Sequence, residues 1–298
     1  MNQIEFDIKA YEYTTRTYIQ FLIETHQWEP LGIDDINSWL ENFGDQIGRY
    51  YGLRILVNCS YYSEKHLIRL LRKGLHDELI YREIMANIDI EKALNYPLTF
   101  YNSKAYDYLG KTIFIPLLHS DVPSESGYWL VRTLVTQQII HQHNQTYPTD
   151  LDKIKNYENI IIVDDCIGTG EHIRDFINSN VYKELKNLGK KIIFLVAVGA
   201  KEGVKCIEKM NVDIRCIEVL DENRRIFGNH GNVWKDDEER CAAIDYFKEV
   251  EKNRGVTMLG YKKMDYAMIV QNNIPNWSLP ILWKETADWQ PLIRRKSS

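Results

Sequence analysis

The sequence lacks the features of several large protein classes. Its five cysteines are scattered, odd in number and without a CxxC pair, so reduced thiols are expected rather than a disulfide framework. No apolar run approaches the length of a membrane span, and the first residues show no secretory signal. The net charge of −5 gives no basic excess for nucleic acid. These absences predict a cytoplasmic protein without a membrane or direct nucleic-acid partner.

The N-terminal third has the periodicity of helices. With 298 residues, 44% of them hydrophobic and 27% charged, the chain can form one large domain or two small ones. Ile36, Trp39, Leu40 and Phe43 recur at helical spacing, and a later leucine-rich helix is expected to end at Gly74. We therefore expect residues 1–108 to form a mostly helical region packed on a core.

Strand and helix patterns alternate from about residue 110. Short apolar segments at 111–118, 159–165, 190–200 and 212–220 are typical of buried strands, and helical patterns lie between them. The pattern after Gly170, the second glycine of the central loop, predicts one helix from residue 171 to 188. Such alternation predicts an α/β fold with a parallel sheet covered on both faces, over residues 109–298.

The stretch IIIVDDCIGTGEHI (160–173) combines a strand, two acids and a glycine loop. A buried strand carries charge only near its end, so Asp164 and Asp165 are expected at the carboxyl end of the sheet, where ligands bind in open α/β folds. Glycines let backbone N–H groups converge on an anion, and the following helix N-terminus favours negative charge. The element can thus offer carboxylates to sugar hydroxyls and amides to a phosphate.

Three other ligand motifs do not fit this stretch. A P-loop would need a lysine after its last glycine, and none is present. A dinucleotide-binding fingerprint would need a third glycine where Ile173 stands. An acidic pair of the haloacid-dehalogenase type would need a second aspartate where Cys166 stands.

The stretch resembles the 5-phosphoribosyl-1-pyrophosphate (PRPP) motif of type I phosphoribosyltransferases. By this resemblance Asp164 and Asp165 contact the ribose hydroxyls and are the catalytic candidates. The resemblance also implies Mg²⁺, held near these acids through the ligand rather than directly by the protein. The loop candidates for the 5′-phosphate are Cys166, Ile167, Gly168, Thr169 and Gly170.

The end of the loop departs from the family pattern. Glu171 and His172 stand where the family usually has threonine or serine. A carboxylate beside a phosphate is repulsive, so Glu171 is expected to point away from it. His172 either donates to the phosphate or is structural. Gly168 cannot supply the acid that purine-type relatives carry, and no basic catalytic loop precedes the motif, so no general acid or base is assigned.

Further candidate ligand-binding residues lie outside the strand and glycine loop. His119, Ser120 and Asp121 sit where the family's pyrophosphate loop would lie, but the segment reads equally as an ordinary turn. Arg224 is a candidate for holding pyrophosphate, with a solvated arginine as the alternative. Trp277 is a candidate for stacking on the acceptor ring, with core packing as the alternative.

The segments SWLENF (38–43), GY (260–261) and NNIPNWSLPILW (272–283) resemble the divergent PRTase-CE group of bacterial conflict and antiphage loci, some of them retron-associated. The resemblance implies a glycosyltransferase of nucleotide metabolism, with PRPP as co-substrate, an unknown acceptor, defence-operon protein partners and a homodimeric assembly. Two alternatives stay open: a catalytically degenerate sensor that binds PRPP or a nucleotide, and a toxin regulated by a partner.

Overall fold

The computed structural model describes residues 3–86, 88–118, 126–270 and 274–295. The chain forms two compact units: Met1–Glu64 with Asp221–Ser297, and Lys65–Leu220. The expected boundary between residues 108 and 109 lies inside the second unit. The sequence pattern could not reveal this division, because the first unit joins segments from the two ends of the chain.

The second unit is built on a four-stranded parallel sheet in which the strands are neighbours in chain order. Its strands are apolar because both faces are covered; Ile160 to Val163 are fully buried, for example. The predicted α/β class and parallel sheet are therefore confirmed. The strands are β2 (Thr112–Pro116), β3 (Asn159–Ile167), β4 (Lys191–Ala200) and β5 (Asp213–Leu220).

Helices surround this sheet along the chain. They are α4 (Glu64–Lys73), a π-helix (Gly74–Ile80), α5 (Tyr81–Ala86), α6 (Ile90–Asn95), α7 (Pro97–Gly110), α8 (Ser126–Thr136), a 3₁₀ turn (Gln142–Asn144), α9 (Leu151–Ile154), α10 (Glu171–Asn178), α11 (Asn180–Asn187) and α12 (Lys201–Glu208).

Two helix predictions in this unit were wrong in detail. Gly74 does not end its helix; the chain continues as a π-helix, and a Cβ at Gly74 would crowd Leu195 at 2.8 Å. The single helix expected from residue 171 to 188 is divided at Ser179. The Ser179 hydroxyl oxygen accepts a hydrogen bond from the Tyr182 N–H at 3.2 Å and begins a new helix, α11.

The first unit is mostly helical and encloses an aromatic core. Phe43 meets the rings of Trp39, Phe247 and Trp289 edge to face, with ring centroids 4.8, 6.3 and 5.2 Å away. The buried apolar residues Met268–Val270 form a short strand, β6. The elements are α1 (Gln3–Glu24), α2 (Ile33–Glu41), α3 (Gln46–Val57), β1 (Ser60–Tyr62), α13 (Asp237–Arg254), β6 (Met268–Val270) and 3₁₀ turns at Glu222–Arg224, Tyr261–Lys263 and Pro280–Leu282.

Strands β1 and β6 pair in parallel, with Ser60 opposite Met268 and Tyr62 opposite Val270. Two buried indoles link the N-terminal and C-terminal segments of the first unit. Trp39 and Trp289 both donate their ring N–H to the Ile281 carbonyl, at 2.7 and 3.0 Å. Among the described residues, no helix is long and apolar enough to span a membrane.

Candidate functional site

The paired aspartates lie within the last residues of β3. Asp164 still pairs in register with Val196, and the strand continues to Ile167 before the glycine loop begins. Asp164 is 6% exposed, whereas Asp165 is half-buried. The sheet therefore extends slightly further than the apolar pattern indicated, and the two acids differ in their access to solvent.

Each aspartate accepts a hydrogen bond from the backbone N–H of the next residue. The Asp165 N–H donates to Asp164 Oδ1 at 3.0 Å, and the Cys166 N–H donates to Asp165 Oδ1 at 2.7 Å. These bonds restrict the side-chain torsions of both acids. The two carboxylates are thereby held at the point where the strand leads into the loop.

Gly168, Thr169 and Gly170 connect the strand to α10. Gly170 has φ +82° and is the residue before the helix, a backbone conformation that favours glycine. The Gly170 carbonyl accepts the N–H of Arg174 at 3.0 Å, while the first-turn N–H groups of α10 have no partner within that helix. The sequence predicted this arrangement of strand, tight loop and helix start.

Glu171 turns back along the loop. Its Oε2 accepts from the Thr169 hydroxyl at 3.3 Å, and its Oε1 accepts from Arg174 Nη2 at 3.1 Å. Only 20% of the Glu171 side chain is exposed, so the carboxylate does not project into solvent as an outward orientation would require. His172 lies on the exposed side of α10.

The Cys166 thiol stays protonated in this environment. Burial raises the pKa of Cys166 well above its usual range, and the negative charges of Asp165 and Asp164 raise it further. Burial and then the charge of Glu218 raise the pKa of Cys216 to about 12. Since a thiol reacts as its thiolate, these shifts disfavour Cys166 as a nucleophile.

Gly203 on α12 packs against the loop and was missed by sequence reasoning. A Cβ at Gly203 would collide with the Gly168 carbonyl oxygen, and a Cβ at Gly170 would lie 3.0 Å from the Gly203 carbonyl oxygen. A glycine inside a helical pattern often has a packing reason, so KEGVKC carried a usable signal. The backbone of α12 therefore restricts the conformation of the glycine loop.

The remaining candidates lie either outside the described residues or in the first unit. His119, Ser120 and Asp121 lie outside the described residues. Arg224 belongs to the first unit, where it is exposed in a 3₁₀ turn. Trp277 also belongs to the first unit, and its ring is 5% exposed and packs edge to face on Tyr266 at 5.9 Å. This burial favours the core-packing alternative for Trp277.

Arg225, next to Arg224, has the more constrained side chain. Its Nη1 lies 3.5 Å from the buried carboxylate of Asp265, and its guanidinium lies over the Tyr266 ring at 5.6 Å from the centroid. The Asp265 Oδ2 also accepts the Phe227 N–H at 3.2 Å. Sequence alone could not distinguish the two arginines, because Asp265 is distant along the chain.

The described part of the chain contains no group of three or more His, Cys, Asp or Glu side chains placed to hold a metal ion. Carboxylate oxygens are nevertheless suitable neighbours for Mg²⁺. The donor set at Asp164 and Asp165 therefore fits a magnesium ion that is bound mainly through the oxygens of a ligand. It does not form a protein-only metal cage.

Comparison with known proteins assigns the family. The family model described as PRTase-CE matches residues 36–295, so the chain belongs to the PRTase-CE family. It is a phosphoribosyltransferase-like protein. Comparison with curated proteins gives no match. Among solved structures, the chain is similar to the orotate phosphoribosyltransferase from Aeropyrum pernix, at 19% identity and a TM-score of 0.27, with 38% of this chain and 62% of that chain covered.

Proposed function

We propose that the protein binds PRPP, or a ribonucleoside 5′-phosphate, at the end of β3 and transfers phosphoribose to an acceptor. One observation carries this proposal: two carboxylates and a glycine loop at a helix N-terminus follow one another on a single strand. Asp165 is accessible for ribose hydroxyls, and the loop N–H groups are suited to the 5′-phosphate. Membership of the PRTase-CE family supports the same chemistry.

The chain's own residues would act by positioning and by charge. In the transfer, the bond from the anomeric carbon to pyrophosphate breaks, and a bond from that carbon to the acceptor forms. Positive charge develops on the ribose during this step, and the carboxylates of Asp164 and Asp165 stabilise it. Bound Mg²⁺ would supply neutralisation of the pyrophosphate leaving group. The loop holds the other end of the sugar in place.

Pyrophosphate release from PRPP with Mg²⁺ and a mixture of acceptors tests this proposal. Asp164→Asn and Asp165→Asn should each abolish most of the release, because the amides cannot stabilise the developing charge as carboxylates do. Asp175→Asn is the matched control, since Asp175 is an exposed aspartate of α10 one turn beyond the loop. Unchanged release in both site variants would overturn the transferase proposal.

A sensor that binds PRPP without turnover is the second candidate. The observation that favours it is the contact of Glu171 with Thr169, because a loop hydroxyl that the resemblance assigns to phosphate donates instead to a carboxylate. PRPP binding without pyrophosphate release, measured by calorimetry and by a pyrophosphate-release assay on the same sample, would select the sensor.

The antiphage role and its protein partners are the third element of the proposal. They are supported by the resemblance to the PRTase-CE group of bacterial conflict and antiphage loci, together with the match to that family's model. Phage plating on cells that carry this gene, with and without its neighbouring genes, tests the role. A partner-regulated toxin predicts growth arrest that appears only when the neighbouring genes are deleted.

A further inference from the structure

The polar side chains beside the glycine loop converge on Glu171. The Thr169 hydroxyl and the Arg174 guanidinium donate to the two different oxygens of its carboxylate, at 3.3 and 3.1 Å. The carboxylate thus bridges a loop residue and a residue one turn into α10. This bridge holds a negative charge next to the start of the helix.

A carboxylate in this place makes the interactions that a phosphate would make. Negative charge at a helix N-terminus is favourable, and hydroxyl and guanidinium groups are common phosphate donors. A phosphate that entered the loop would meet these donors already engaged. It would also meet a like charge at close range in a partly buried environment, where screening by solvent is reduced.

We propose that Glu171 is an internal competitor for the 5′-phosphate: it occupies the donors of the loop in the free protein and turns away when the ligand binds. This inference rests on the proposed function of the same loop. In the free protein the Glu171 carboxylate occupies the anion site of the loop, and an incoming phosphate replaces it. The exchange lowers affinity for simple phosphates and reserves the loop for ligands with further contacts.

Arg174 is the residue that the exchange releases. Its Nη2 donates to Glu171 at 3.1 Å, whereas the ion pair of its Nε with the exposed Asp175 is longer, at 3.6 Å. The side chain is 40% exposed, which leaves it room to reorient. When Glu171 turns away, Arg174 can donate to the bound phosphate.

The test compares Glu171→Gln with the wild type, with ribose 5-phosphate and PRPP plus Mg²⁺ as the probes in calorimetry. Glutamine keeps the shape and one acceptor oxygen but removes the charge, so Glu171→Gln should bind ribose 5-phosphate about tenfold more tightly, the order expected when one like charge is removed beside a phosphate. Glu171→Ala should change affinity in the same direction, which guards against an effect peculiar to the amide.

Asp175→Asn is the matched control. Asp175 also pairs with Arg174 but makes no hydrogen bond to Thr169 among the contacts described, so its substitution should leave the affinity within about twofold, as for an exposed ion pair. Thermal melting of all three variants verifies that each is folded.

The outcomes separate this inference from the proposed function. If the wild type binds PRPP and Glu171→Gln binds ribose 5-phosphate no more tightly, the competitor role is overturned and the proposed function stands. Weaker binding by Glu171→Gln would also overturn it, since Glu171 would then support the loop. If neither protein binds PRPP, the proposed function and the inference both fail.

Discussion

The Cα of Gly203 lies so close to the Gly168 carbonyl that a Cβ on Gly203 would collide with that oxygen and approach Ile167 Cγ2 at 2.9 Å. Two backbone segments, α12 and the glycine loop, therefore meet without an intervening side chain. Such an approach gives the loop a rigid support, because neither backbone can shift as a side chain can. The shape of the candidate phosphate site depends on a residue outside its motif.

Gly203→Ala should destabilise the protein and weaken ligand binding. Helix propensity alone predicts a gain of about 1 kcal/mol when glycine becomes alanine inside a helix. Overpacking against Gly168 should reverse the sign and reduce the free energy of unfolding by about 1–3 kcal/mol. Urea denaturation measures the stability, and PRPP titration measures the binding.

Gly110→Ala is the control for this substitution. Gly110 also lies in a helix, α7, but no atom lies within 4 Å of where its Cβ would be. It should be neutral or slightly stabilising. If Gly203→Ala behaved in the same way as Gly110→Ala, the close approach of α12 to the loop would be contradicted.

Thiol reagents should modify Cys241 before Cys166. Cys241 is exposed, whereas Cys166 is half-buried and has its pKa raised by burial and by the neighbouring aspartates. Since the thiolate is the reactive form, the rate at Cys166 should stay low at pH 7 to 8. Mass spectrometry of peptides after short exposure to iodoacetamide gives the order of modification.

Cys166→Ser should accordingly retain any pyrophosphate release that the wild type shows. Serine preserves the backbone N–H and nearly the volume of the side chain, and the protonated thiol has no covalent role to lose. Rapid modification of Cys166, or loss of release in the serine variant, would contradict the interpretation of this residue as part of the loop scaffold.

The stability contributed by Asp265 should increase as the pH falls. Burial raises its pKa above the ordinary value of 3.8, although the charge of Arg225 and backbone N–H groups oppose this shift. The folded protein therefore binds a proton at a higher pH than the unfolded chain does. The contribution is present in full below the unfolded pKa and is lost as the pH rises through the folded pKa.

Urea denaturation of the wild type and Asp265→Asn between pH 4 and 7 measures this effect. The wild type should gain stability relative to the variant as the pH is lowered. Asp288→Asn, at an exposed aspartate of the same unit, is the control for a substitution made away from the buried carboxylate. If the wild type instead lost stability relative to Asp265→Asn as the pH was lowered, the ion pair with Arg225, rather than burial, would dominate at Asp265.

Local patterns in the sequence determined the main elements near the site. The run Ile160 to Val163 predicted a buried strand, because apolar residues on both faces are required where a parallel sheet is covered on both sides. The glycines of GTG predicted a tight turn, and Gly170 does adopt a positive φ. These features depend on neighbours within a few residues, so a single sequence contains the information.

Tertiary structure alone decided the features that depend on residues distant along the chain. The pairing of Ser60 with Met268, the collision that excludes a Cβ at Gly203, and the burial of Trp277 in the first unit all arise from such contacts. The orientation of Glu171 was also open in the sequence, although its contacts are local: the carboxylate could face solvent or accept from Thr169 and Arg174, and the folded structure shows the second. Periodicity and turn chemistry describe a segment; which segments and donors meet is fixed only when the whole chain packs.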